Sequence, residues 1–174
     1  MTSFLIKAHV DRPSPPSWKS QSDPDCPFCR IVANDLPATR VYETDTVVAF
    51  LDILPLRRGH TLVVPKAHYS RLSELPPEYA AAVGEAVTKV AHALTQALDN
   101  TALNVVCNQE YAQAVPHVHY HVIPAPTFGA PQPSFAPATA PPTQREMHQR
   151  EFEGRSESDD NDAVVLARLI RARL

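Results

Sequence analysis

The chain has 174 residues, enough for one full hydrophobic core and hardly for two, and its 44% hydrophobic content is that of an ordinary globular protein. A net charge of −3 leaves no basic footprint for non-specific nucleic-acid binding, and no apolar run approaches the length of a membrane helix. Three cysteines do not make a secreted disulfide framework, and Ser3 to Val10, broken by Lys7 and His9, is too short for a signal peptide, so a cytoplasmic or nuclear location is expected.

Residues 1–23 are polar and without clear period, and read as a disordered arm. A folded domain is expected over residues 24–127. It opens with a short helix from Cys29 to Asn34, ended near Pro37. Ala38 to Tyr42 and Val47 to Leu51 read as two strands, with Glu43-Thr44-Asp45 suited to the turn between them. Thr61 to Pro65 is a third strand. Pro76 to Asp99 is the longest helical stretch, with Val83, Val87, Val90, Leu94 and Leu98 at helical spacing and Pro77 near the first turn. Leu103 to Cys107 makes a fourth strand and His117 to Ile123 a fifth. From Pro124 to Pro142 there are seven prolines, which fix φ and remove backbone donors, so residues 128–156 read as a proline-rich and polar linker. Residues 157–174 read as an amphipathic helix with an apolar stripe of Val165, Leu166, Leu169 and Ile170. Its acids lie in front and Arg168, Arg171 and Arg173 behind, which complements the helix dipole. That helix is expected to dock on the core, on a partner subunit or on another protein.

Three of the eight histidines, His117, His119 and His121, fall at alternate positions of the fifth strand. Alternation puts them on one face and Val118, Tyr120 and Val122 on the other. A buried structural cluster would need partners for six ring nitrogens. A single metal held by all three rings is geometrically poor, because positions two apart on a strand are separated by roughly 6–7 Å. A division of labour, with the middle ring attacking and its neighbours in other roles, suits the row best. The Cys26-Pro27-Phe28-Cys29 spacing by itself fits a redox pair, half of a metal site, or neither. Cys107, mid-strand, reads as an inert core residue.

His117-Val118-His119-Tyr120-His121-Val122-Ile123 resembles the signature of the histidine-triad superfamily of nucleotide hydrolases and transferases. Phe50-Leu51-Asp52-Ile53, Gly59-His60-Thr61-Leu62-Val63-Val64-Pro65-Lys66-Ala67-His68 and Cys26-Pro27-Phe28-Cys29-Arg30-Ile31-Val32 resemble it too, in the same order. The resemblance implies an α+β fold, with an antiparallel sheet of about five strands and one long helix, and a homodimer. It is nearest to the small nucleotide-binding branch that hydrolyses nucleoside phosphoramidates. It implies that His119 is the nucleophile, that His121 is a general acid and that His60 supports the row, the tautomer of His119 being held by a backbone carbonyl near His117. A purine nucleotide substrate would sit in an apolar slot of Phe28, Ile31, Leu36, Phe50 and Ile53, its ribose hydroxyls on Asp52. Asn108, Gln113 and the Val115 amide would cradle its phosphate. In some members a structural zinc ion is bound by residues that correspond here to Cys26, Cys29, His68 and His117.

Two departures from the family pattern stand out. Residues 109–116 contain no glycine where the family usually has a longer glycine-rich loop, with Ala114 where Ser is frequent and Glu110 nearby. The only tryptophan is Trp18, whereas relatives often carry one in a C-terminal tail. A diadenosine polyphosphate hydrolase is the enzymatic alternative, and a nucleotide-binding adaptor using the linker and end helix is the non-enzymatic one.

Overall fold

Proline and left-handed residues punctuate the elements. The computed structural model describes residues 22–126 and 159–174, so the linker and all but the last two residues of the expected arm lie outside the described residues. Helix α1 spans Pro27–Val32, two residues earlier than expected, because Pro27 occupies the first turn, where its missing N–H has no helical partner to lose. Asn34, at φ 67, follows the helix in the left-handed region that Asn tolerates. Strands β1 (Arg40–Glu43) and β2 (Val47–Leu51) form the hairpin. The Thr44 hydroxyl oxygen accepts from the Val47 amide at 3.1 Å, and the Thr44 amide donates to the Val47 carbonyl at 2.8 Å. Strand β3 (Thr61–Pro65) follows, then the long helix α2 (Pro77–Leu98), β4 (Leu103–Cys107) and β5 (Tyr120–Pro124). Asp99, at φ 50, caps α2.

The five strands form one antiparallel sheet in the order β1-β2-β3-β5-β4. Both of its faces are covered. On one, Val47, Ala49, Leu51, Val63 and Val122 pack against Val83, Ala86, Val90, Ala93 and Leu94 of α2. On the other, Val48, Phe50, Leu62 and Val64 pack against Cys26, Phe28, Cys29 and Ile31 of the α1 segment. This double covering explains why β2 and β3 read as continuous apolar runs rather than alternating ones. Gly59, at φ 91, lies where an added Cβ would come within 2.8 Å of Leu98, so the approach of the β2–β3 connection to α2 requires glycine.

Two expectations need correction. The fifth strand begins at Tyr120, not His117. Pairing stops at Val63↔Tyr120 and Cys107↔Tyr120, and the Val118 amide donates instead to the Tyr69 carbonyl at 2.7 Å. The alternation nevertheless continues through the irregular part, since Val118 is buried with Ala67 and Tyr69. The C-terminal helix α3 spans Asp160–Arg171 and is capped by the Asp159 carboxylate, which accepts from the Asn161 and Asp162 amides. Its buried face is Ala163, Leu166, Ala167 and Ile170, while Val164, Val165 and Leu169 are exposed. The spacing i, i+3, i+4, i+7 brings small alanines against α2 and β1, and of the expected stripe only Leu166 and Ile170 face the core. Of the three docking partners considered, this face takes the core of its own chain.

Candidate active site and metal centre

His121 is the register partner of Leu62 on one side and of Val106 on the other, so it shares the sheet face that α1 covers. His117 and His119 continue that face. The ring of Phe28, on α1, stands edge-on to both, at centroid distances of 5.8 Å and 5.1 Å, and His119 lies 4.8 Å from His121. His117 and His119 are buried and His121 is half-buried.

Hydrogen bonds assign the ring protons. His119 Nδ1 donates to the His117 carbonyl at 2.6 Å. A carbonyl only accepts, so in the neutral ring Nε2 keeps its lone pair. Burial pushes the His119 pKa below its ordinary value, against the His117 carbonyl and the Asp52 charge, which raise it. The ring is therefore neutral at pH 7. His60 carries the opposite assignment. Its Nδ1 accepts from the Leu56 amide at 3.2 Å, so in the neutral ring Nε2–H donates to His121 Nδ1 at 2.9 Å. His121 is left with its proton on Nε2. Asp52 Oδ2 lies 3.3 Å from His60 Nδ1, an ion pair whenever that ring is protonated. The Leu56 amide, which no side-chain pattern announces, is the part of this chain that sequence reasoning missed.

Cys26, Cys29, His68 and His117 converge on one buried point, their four ligand atoms all within 4.8 Å of one another. Cys26 Sγ and Cys29 Sγ lie 3.4 Å and 3.7 Å from His117 Nδ1, and Cys29 Sγ lies 3.4 Å from His68 Nδ1. Bond lengths of about 2.3 Å to sulfur and 2.0 Å to nitrogen give a tetrahedral edge of about 3.5 Å, so the quartet fits zinc. The surrounding hydrogen bonds agree. His117 Nε2 donates to the Pro65 carbonyl at 2.8 Å, which turns its Nδ1 lone pair toward the thiols, and the Asp23 amide donates to Cys29 Sγ at 3.4 Å. Burial drives the Cys26 thiol up to about 12, His117 down to about 3 and His68 below its usual value. Such a set of converging lone pairs is what a cation would satisfy.

The residues read as a purine slot are partly brought together. Phe28, Ile31 and Phe50 are buried in one cluster and Leu36 packs against it, with Phe28 and Phe50 edge to face at 5.6 Å. Val115 joins this cluster through its side chain. Ile53 stands apart, 74% exposed beside the half-buried Asp52. Asn108 is half-buried directly after β4, beyond the Cys107↔Tyr120 pair. Gln113 is buried and its amide is engaged by the protein: Oε1 accepts from the Glu110 amide at 2.7 Å, and Nε2 donates to the Ser70 carbonyl at 3.0 Å and the His117 carbonyl at 3.4 Å. It thus braces the very carbonyl that orients His119. The glycine-free loop turns through Glu110 at φ 59 and Ala112 at φ 56, both in the left-handed region. The Glu110 carboxylate is paired with Arg71, so its charge is compensated.

A family model of the HIT (histidine triad) domain matches residues 33–127. The chain is 41% identical over 102 residues to "Protein hit" of Bacillus subtilis, covering 58% of this chain and 70% of that one. It is 42% identical over 103 residues to the adenosine 5'-monophosphoramidase hnt1 of Schizosaccharomyces pombe, covering 58% of this chain and 75% of that one. Among solved structures it is similar to a zinc-bound histidine triad family protein from Mycobacterium smegmatis, with 31% identity, a TM-score of 0.65, and coverage of 86% of this chain and 92% of that one. This chain belongs to the HIT domain family, whose other members include proteins that hydrolyse nucleotide derivatives.

Proposed function

We propose that this protein hydrolyses purine nucleoside phosphoramidates, releasing AMP, through a covalent nucleotidyl-histidine on His119. The observation that carries this reading is the pair of opposed tautomers. His119 has its proton held away by the His117 carbonyl, leaving Nε2 a neutral nucleophile, and His121 has its proton on Nε2 as a donor. A neutral imidazole approaches an anionic phosphorus without charge repulsion. In the first step the His119 Nε2–P bond forms, the P–N bond to the leaving amine breaks, and the amine takes the His121 proton. In the second, water attacks the phosphorus and gives a proton back to His121, the P–Nε2 bond breaks, and AMP leaves with His119 and His121 both restored. His60 orients His121. Asp52 receives the ribose hydroxyls, and Phe28, Ile31, Leu36 and Phe50, with Ile53 at the rim, hold the base. Asn108 and the Val115 amide face the phosphate, and Gln113 acts through the His117 carbonyl.

Zinc held by Cys26, Cys29, His68 and His117 would supply a fixed crosslink between α1, the segment after β3 and the start of the histidine row. The dimer of this reading forms through β4, an edge strand whose Val105 is 44% exposed. Among the described residues no helix is long and apolar enough to cross a membrane.

AMP release from adenosine phosphoramidate by the wild type and by His119→Ala, matched for folding and zinc content, tests the reading. Turnover is expected to fall at least about a thousandfold in the variant. Retained turnover would sink the covalent mechanism. A wild type that binds AMP without any turnover would point to the adaptor alternative.

A further inference from the structure

Helix α3 reaches the histidine site. A cavity of about 190 Å³ has Asp52, Arg58 and His60 on one side and Asp159, Asp162 and Leu166, from the start of α3, on the other. The two sides are joined across 104 positions of sequence. Arg58 Nε and Nη2 each donate to a different oxygen of Asp162, both at 2.8 Å, a two-pronged match that fixes orientation as well as distance. Arg58 is two residues before His60, in a connection that buries little of its own. Ile53 and Leu54 are 74% and 45% exposed. The segment is held by the Leu54 amide on Asp52 Oδ1, the Leu56 amide on His60 Nδ1, and Arg57 on the Pro124 carbonyl. His60 itself is tied in by its amide, which donates to the Arg57 carbonyl, and by its carbonyl, which accepts from the Asp52 amide, both at 2.9 Å, and its flanks anchor the segment outward, Gly59 against α2 and Arg58 against α3. Both partners of the ion pair are about half exposed, so water screens it and it adds little to helix docking, which Ala163, Leu166, Ala167 and Ile170 provide. Its distinctive contribution is geometric.

We propose that α3 is a working part of the active site: Asp162 latches Arg58 and so positions His60 and, through it, the proton donor His121. The inference rests on the reading of His121 as the general acid and extends it to the C-terminal helix. Arg58 and Asp162 are positioning residues, with no contact to the reacting atoms.

The test uses the full chain as Asp162→Asn, Arg58→Gln and the exchange Arg58→Asp with Asp162→Arg. Two readouts are taken: kcat and KM for adenosine phosphoramidate, and long-range proton–nitrogen spectra of the histidine rings without substrate. Each single variant is expected to lose about tenfold in kcat with KM changed less than about twofold, since a small misplacement of an acid costs rate rather than binding. The His60 and His121 ring signals are expected to lose their single-tautomer pattern, and the exchange is expected to recover both readouts. Unchanged ring spectra and kcat in Asp162→Asn overturn the latch, even if thermal stability falls. Losses that the exchange fails to recover overturn it as well. If the wild type does not turn over the substrate, the functional reading fails, and the ring spectra still decide the latch.

Discussion

Glu110 and Ala112 carry the cost of a loop built without glycine. Both sit at positive φ, where a Cβ crowds the following carbonyl by roughly 1–2 kcal/mol per residue. Glu110 draws compensation from Arg71, and its amide from Gln113, whereas Ala112 has no such side-chain contact to lose on substitution. Ala112→Gly relieves the strain but gives the unfolded chain more freedom, so a net gain of up to about 1 kcal/mol is expected. Urea unfolding of the two proteins measures it, and a loss of stability would contradict the strain argument. The histidine row was legible at this scale because alternation is a local property: residues i, i+2 and i+4 share a face whichever neighbours they later meet. The proton positions were only half legible. The carbonyl holding His119 was expected from the family resemblance, but the Leu56 amide that sets His60 belongs to a connection with no periodic signal.

Helix α3 shows where periodicity runs out. Between Ala163 and Ile170 only Arg168 is not apolar, so apolar residues occupy more than one face and the pattern does not choose among them. The choice is made by tertiary fit: Ala163 and Ala167 let the helix lie close to β1 and α2, and Leu166 and Ile170 fill the remaining space with almost no exposure. By contrast, β2, β3, β4 and α2 were legible to within a residue, because each is bounded by turn residues or prolines and has only one workable buried face or is buried on both. Leu166→Ala should therefore cost about 2–5 kcal/mol, the usual penalty for emptying a core site, whereas Val165→Ala should stay within about 0.5 kcal/mol. Equal effects in denaturant titrations would mean that the buried face is assigned wrongly.

At the scale of the molecule, the cysteine–histidine quartet ties together segments 39 and 91 positions apart, and its last member is also the residue whose carbonyl orients His119. A zinc ion bound there would be coupled to the proposed nucleophile through His117, yet it would not touch the phosphorus of the proposed reaction. A structural role and a catalytic one then differ in what chelation does. With free zinc on the order of a thousand times Kd, binding stabilises the folded state by about 4 kcal/mol, which for a chain of this size corresponds to about 10 °C in Tm. Chelation is expected to remove that increment while leaving partial turnover at temperatures where the metal-free protein stays folded. Complete loss of turnover with an unchanged Tm would instead make the metal catalytic. The metal-free form should also carry its own pH signature. Its Cys26 keeps a proton up to about 12 when the unfolded thiol loses it near 9.0, so stability falls as pH rises through that window. Its His117 stays neutral down to about 3 when the unfolded ring takes a proton near 6.5, so stability also falls as pH drops from 6.5 toward 3. Zinc, by holding the thiolates, removes the alkaline loss and sharpens the acid one, because protons then compete with the metal for all four ligands. Thermal melts across pH with and without chelator check this directly: the two curves should diverge most on the alkaline side, and superimposable curves would show that the quartet holds no metal.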